Sequence, residues 1–368
     1  MRWFIKALIF GSALLATPAL RAWAGPSMIP LIDMGTSTYY GFTGGLYPGG
    51  SNTIPPEHAV AGNQRAFEIK PLDENGLPDS EGKYVMLSIG MSNANQEFCG
   101  NSLDGVSCNE WTFMGQAAAN SDVVSDQMVI VNGARGGGVA TAWVSPSSPN
   151  YDQIRDELLA PLGLTEEQVQ VVWVKVANPN PNTPLPSDNA DATILLARMG
   201  SIARALRVRY PNLQLVFLSS RIYAGYATVT LNPEPYAYES GFAVKGLIEA
   251  QIDQMNGGGI DPRAGNLDYN SAAPWLAWGP YLWADGPDPR SDGLFWIPQD
   301  FETDGTHPSQ SGEEKAGTLL LDFFLSSPQT ACWFRSEQTC HPLFFLPLII
   351  SAETASQAPW VIIQAAAD

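Results

Sequence analysis

Four apolar runs of strand length, Val85–Ile89, Met128–Val131, Val171–Val176 and Leu213–Leu218, constrain this chain more than any other feature of its sequence. Each run is mainly apolar, with single polar residues at Ser88, Lys175 and Gln214, which is the pattern of a strand buried on both faces. Between them lie segments with helical spacing. The clearest is Ala192–Tyr210, where Leu195, Leu196, Met199, Ile202 and Leu206 share one face; Asp152–Leu159 and Glu239–Met255 show the same spacing more weakly. Another helix is predicted over Gly312–Leu325, with Ala316, Leu319, Leu320 and Phe323 as its stripe and Ser311-x-x-Glu314 as a capping box. Strands alternating with helices of this length predict an α/β fold, a three-layer α/β/α sandwich around a central, mainly parallel sheet.

The two ends read differently. Arg2 and Lys6 precede an apolar run from Ala7 to Leu20 that closes near Ala22-Trp23-Ala24, so residues 1–24 are expected to be a secretory signal peptide. Gly11, Ser12 and Pro18 interrupt that run, which falls short of the roughly 20 apolar residues of a bilayer span. An uncleaved anchor is the alternative. Residues 25–80, rich in Gly, Pro, Ser and Asn, are expected to form loops and short strands packed on the core, with Ala66-Phe67-Glu68-Ile69 as one such alternation. The main domain is expected over 81–330. Residues 331–368 form an appended segment whose apolar run, Leu343–Ile350, is broken by Pro347 and too short to span a bilayer. No stable membrane span is therefore expected in the mature chain, which is placed outside the cytoplasm.

The formal net charge is -18, and it becomes -21 once residues 1–24 take Arg2, Lys6 and Arg21 with them. A surface this acidic repels nucleic acid and anionic membranes, so neither is an expected partner. With 45% hydrophobic residues and 11 Trp the chain still buries a large core, and one domain of this size fits better than two equal ones. The cysteines form two close pairs, and Cys99–Cys108 and Cys332–Cys340 are the predicted disulfides. A zinc site would want shorter ligand spacings, and the chain has only three histidines.

Two short segments carry chemistry. The first strand runs into Gly90-Met91-Ser92-Asn93, which sets a serine at the carboxyl end of a core strand, where catalytic groups collect in parallel sheets. An ordinary helix cap or turn would use the same residues. The second segment is Asp304-Gly305-Thr306-His307-Pro308, just before the last predicted helix. A serine hydroxyl needs an imidazole to take its proton, and the imidazole needs a carboxylate to fix its tautomer. Of His58, His307 and His341, only His307 has an acidic residue three positions before it. A solvent-exposed loop with a capping Asp is the plainer account.

Together these segments resemble the SGNH (GDSL-like) hydrolase superfamily, in which a serine after the first strand pairs with a late Asp-x-x-His. The resemblance covers about Tyr84 to Leu325 and marks 81–330 as the hydrolase domain. Gly90-Met91-Ser92-Asn93 departs from the commoner Gly-Asp-Ser and is similar to the branch containing carbohydrate O-acetyl esterases. The resemblance implies a triad of Ser92, Asp304 and His307. It also implies an oxyanion hole from the Ser92 backbone, a glycine after the second strand and an asparagine after the third. In Asn132–Gly138 the favoured glycine is Gly136, with Gly137 beside it; after the third strand the asparagine is Asn178, with Asn180 as the fallback. The usual Gly-x-Asn-Asp block reads Val176-Ala177-Asn178-Pro179 here, so its glycine and aspartate are replaced. A phosphate loop in the glycine run would need a following Gly-Lys-Ser/Thr, which is missing.

The aromatic segment Trp275–Trp296 suits a sugar face or an acyl chain, and core packing suits it as well. The function expected is a secreted serine esterase acting on a small-molecule or carbohydrate ester, with a short acyl group and no cofactor. A lipase or lysophospholipase of the same superfamily is one alternative. A carbohydrate-binding or surface protein that kept the fold without activity is another.

Overall fold

The computed structural model describes residues 26–100, 108–124 and 126–336. The expected signal peptide and most of the expected C-terminal segment lie outside these residues. Five parallel strands form the central sheet: β1 (Tyr84–Gly90), β2 (Met128–Asn132), β3 (Val169–Lys175), β4 (Leu215–Leu218) and β5 (Trp275–Trp278), in the order β2-β1-β3-β4-β5. The chain therefore starts inside the sheet and builds outward in both directions. β1 lies between β2 and β3, with Ser88 beside Asn132 and Gly90 beside Lys175. A topology that reverses direction next to its first strand leaves a crevice at the carboxyl ends of the neighbouring strands.

Six longer helices matter for the site: α1 (Pro56–Glu68), α2 (Ser92–Phe98), α3 (Phe113–Ala119), α4 (Asp191–Arg209), α5 (Tyr236–Met255) and α6 (Gln310–Ser326). Alternation along the strands sorts the core into two layers. Val85, Leu87 and Ile89 join Val172, Val174, Val216 and Leu218 against α4 and α5. Met86, Val171, Trp173, Phe217 and Trp275 face the other way, against α1, α3 and α6. The three-layer sandwich is the observed architecture.

Several expectations change in detail. The 25–80 region contains helix α1, and Ala66-Phe67-Glu68-Ile69 is the end of that helix rather than a strand. Its buried face carries Ala61, Gly62 and Ala66, and a Cβ on Gly62 would lie 2.4 Å from the Trp275 ring, so close approach replaced the usual apolar stripe. The last helix begins at Gln310, with Ser309 at its N-cap, so no capping box forms at Ser311. The Ser311 hydroxyl instead donates to the Asp300 carboxylate at 2.9 Å. The Asp152–Leu159 spacing belongs to a helix that starts at Pro149 and widens to a π-helix over Ile154–Leu159. Trp275–Trp278 is a fifth strand, and Trp275, Trp278, Tyr281, Trp283 and Trp296 are all core residues; Phe295 alone of that group is exposed. The segment is thus not a binding platform, because each ring gains more by filling the sheet faces than by facing water.

Cys99 and Cys108 form a disulfide at the end of α2. The Cys332–Cys340 pairing reaches Cys340, which lies outside the described residues. Among the described residues, no helix is long and apolar enough to cross a membrane.

Candidate active site

The carboxyl edge of β1 sets the nucleophile candidate. Gly90 ends the strand against β3, where a Cβ would stand 2.5 Å from both the Lys175 carbonyl oxygen and the Ala94 Cβ, so only glycine fits. Met91 then turns the extended chain into α2, whose first residue is Ser92. Ser92 Oγ lies 2.8 Å from His307 Nε2, and His307 Nδ1 lies 2.6 Å from Asp304 Oδ2. The sequence separates Ser92 and His307 by 215 residues; the fold puts them in contact.

The loop Asp304–His307 is tight. The other Asp304 oxygen, Oδ1, accepts the backbone N–H of Thr306 at 2.9 Å and of His307 at 3.0 Å. Gly305 has φ +65°, and a Cβ there would sit 1.9 Å from the Tyr226 carbonyl oxygen, so a side chain is excluded both by conformation and by the neighbouring loop. Burial works to raise the Asp304 carboxyl, but the His307 N–H, the His307 ring and the Thr306 N–H outweigh it and hold it below the usual range. An ionised Asp304 can only accept, so Nδ1 of His307 carries the ring proton and Nε2 offers its lone pair to the Ser92 hydroxyl. The His307 and Asp304 side chains are 23% and 28% exposed, which leaves the pair reachable from solvent.

The glycine run after β2 lies across the turn that carries Ser92. Arg135 N–H donates to the Gly90 carbonyl at 3.1 Å, and a Cβ on Gly138 would come within 2.2 Å of that oxygen. Gly136 and Gly137 form the exposed tip, with open space beside both and φ +74° at Gly137. Asn178 stands differently from the expectation. Its Nδ2 donates to the carbonyl oxygen of Asp191 at 2.9 Å and to the Asp191 carboxylate at 3.0 Å, while its Oδ1 accepts from Arg198. The side chain is thus engaged within the fold, its nitrogen by Asp191 at the start of α4 and its oxygen by Arg198 two turns further along. Asn180 is exposed, with φ +46°.

Other polar residues, absent from the sequence expectations, support the site. Asn95 Nδ2 donates to the Ala134 carbonyl at 2.9 Å, and the Ser88 hydroxyl donates to Asn132 Oδ1 at 2.6 Å, so α2 and the glycine run share one hydrogen-bonded frame. Asn93 and Arg221 are buried and bonded to each other beside the His307 loop. Beneath them Lys175 at the end of β3 pairs with Glu97 of α2, both side chains fully buried. Burial pushes the Lys175 ammonium down to about 8 against the opposing pull of Glu97, and burial pushes the Glu97 carboxyl up. The one signal in the sequence was Lys175 itself, a charge inside an apolar strand. Among the described residues no cluster of His, Cys, Asp and Glu could hold a metal ion.

No protein-family model and no curated protein sequence matches the chain. Solved structures similar to it include GDSL-like lipases and family 2 carbohydrate esterases. A protein described as a GDSL-like lipase from Parabacteroides merdae is 13% identical over 69% of this chain and 97% of its own, with a TM-score of 0.37. A family two carbohydrate esterase from Cellvibrio japonicus is 12% identical over 70% of this chain and 64% of its own, with a TM-score of 0.36. A carbohydrate esterase family 2 enzyme with a carbohydrate-binding domain, from Corynascus, is 14% identical over 66% of each chain, with a TM-score of 0.36. This chain therefore spans about two thirds of the length of the two carbohydrate esterases.

Proposed function

We propose that this protein is a serine ester hydrolase in which Ser92 is the nucleophile, His307 the general base and acid, and Asp304 the group that orients His307. The observation that carries the proposal is the unbroken hydrogen-bonded chain from Ser92 Oγ through the His307 ring to Asp304, at 2.8 and 2.6 Å. In the proposed reaction the Ser92 oxygen attacks the ester carbonyl as its proton passes to Nε2 of His307. The tetrahedral intermediate collapses when His307 returns that proton to the departing alcohol, leaving an acyl-Ser92 ester. Water, deprotonated by the same nitrogen, then attacks the acyl carbonyl, and His307 returns the proton to Ser92 Oγ as the acid departs. Asp304 stays ionised throughout and stabilises the imidazolium.

The oxyanion is assigned to the backbone N–H of Ser92 and of Gly136, each able to contribute about 3–4 kcal/mol to the transition state. The Asn178 amide is not included, since its nitrogen already donates to Asp191. A short acyl group and a carbohydrate alcohol remain the proposed substrate class, resting on the resemblance of Gly90-Met91-Ser92-Asn93 alone now that the tryptophans prove to be core. Export through residues 1–24 belongs to the same proposal, and the Cys99–Cys108 disulfide suits an oxidising compartment. The test is p-nitrophenyl acetate turnover. Ser92→Ala is expected to lower kcat by several orders of magnitude without unfolding the protein, because a small side chain replaces another. Undiminished turnover in Ser92→Ala would sink the assignment.

A further inference from the structure

Asn93 directly follows the proposed nucleophile, is 1% exposed, and makes two hydrogen bonds that run in opposite directions. Its Nδ2 donates to the carbonyl oxygen of Thr306 at 2.8 Å, and its Oδ1 accepts from Arg221 Nη1 at 2.7 Å. Arg221 can only donate and a backbone carbonyl can only accept, so the carboxamide has one allowed orientation. Arg221 is itself 2% exposed, and its own backbone N–H donates to the Ser240 hydroxyl of α5 at 3.1 Å. The carboxamide therefore joins three segments: the start of α2, the His307 loop through the residue bonded to His307, and the end of β4 backed by α5.

We propose that Asn93 is a positioning residue that sets the distance and angle between Ser92 and His307 through its bond to Thr306. This rests on the reading of Ser92 and His307 as nucleophile and base. The Ser92–His307 bond cannot hold the register alone, since the proton it contains moves in each half of the reaction and the bond is remade around a new acceptor. The Asn93–Thr306 bond involves no reacting atom and persists through both halves. A displacement of the imidazole by about 1 Å is enough to cost on the order of 100-fold in rate.

Asn93→Asp separates positioning from folding. An aspartate keeps an acceptor facing Arg221, now with opposite charge, but gives Thr306 no donor. Wild type, Asn93→Asp and Asn93→Ala would be compared by kcat and KM on p-nitrophenyl acetate, by the rate of fluorophosphonate labelling at Ser92, and by thermal unfolding. In Asn93→Asp, kcat and the labelling rate are expected to fall between about 10- and 100-fold with KM nearly unchanged, while the unfolding temperature stays near that of wild type. Asn93→Ala is expected to lose both rate and stability. Asn93→Asp turnover within about twofold of wild type would overturn the proposal, as would a rate loss that disappears once activity is normalised to folded protein. If wild type itself neither turned over ester nor took the label, the reading of Ser92 as nucleophile would fall and the positioning role with it; a fully active Asn93→Asp removes the positioning role alone.

Discussion

His58 and Glu239 show how far single residues set the pH response of this fold. His58 is 4% exposed, its Nε2–H donates to the Leu276 carbonyl at 2.8 Å, and its ring stacks on Trp275 at 4.8 Å. Burial pushes its pKa down to about 4 from 6.5, partly opposed by the Leu276 carbonyl. Glu239 is 1% exposed, and burial pushes its carboxyl up to about 7 from 4.5, against the Leu185 N–H and Tyr39 hydroxyl that donate to it. Between pH 4 and 6.5 the unfolded chain binds a proton at His58 that the folded chain refuses, so this contribution to stability is lost as pH falls. Between pH 4.5 and 7 the folded chain keeps a proton on Glu239 that the unfolded chain has released, so that contribution is lost as pH rises. The two slopes oppose one another, each reaching at most about 1.4 kcal/mol per pH unit. Urea unfolding of His58→Gln, relative to wild type, should lose stability as pH rises through this window; Glu239→Gln should gain it. Difference slopes of the same sign would contradict the assignment.

At the scale of elements, α2 is held over the sheet by the buried pair Glu97–Lys175, with Arg221 also facing Glu97. The arrangement predicts an asymmetry. Glu97→Gln leaves two buried cations, Lys175 and Arg221, that repel each other, whereas Lys175→Met leaves Glu97 with Arg221 still beside it. Glu97→Gln should therefore cost more, about 3–5 kcal/mol, in urea unfolding near neutral pH. A larger loss in Lys175→Met would show that Arg221 does not share the pair. This network also marks where sequence reading stopped. Strands β1 to β4 and helices α4 to α6 were legible because apolar runs and 3.6-residue stripes are local patterns. Helix α1 was not, since its buried face carries the small residues Ala61, Gly62 and Ala66, with Gly62 against the Trp275 ring. Strand β5 was not, because Trp275–Trp278 sits inside a longer aromatic segment with no change of pattern to set it apart. The positions of Ser92, Asp304 and His307 were legible because each lies in a short motif, whereas Glu97 finds Lys175 across 78 residues and Asn93 finds Arg221 across 128. Asn178 stands in sequence where an oxyanion donor would, but Asp191 and Arg198, residues of a later helix, engage its side chain.

For the molecule as a whole, the turn that carries Ser92 after β1, the glycine run after β2 and the Asp304–His307 loop before α6 come together at the carboxyl end of the sheet. For the proposed reaction, the net charge of -18 disfavours anionic esters, because an acidic surface repels them. The central claim is that His307 activates Ser92. A fluorophosphonate probe reacts with a serine only when a neighbouring base raises its nucleophilicity, so it reads that claim without any knowledge of the natural ester. Mass spectrometry of the labelled wild type should place the adduct on Ser92; labelling should vanish in Ser92→Ala and fall by orders of magnitude in His307→Ala, with both variants folded. Labelling on a different serine, or labelling of Ser92 that persists at the wild-type rate in His307→Ala, would contradict the account.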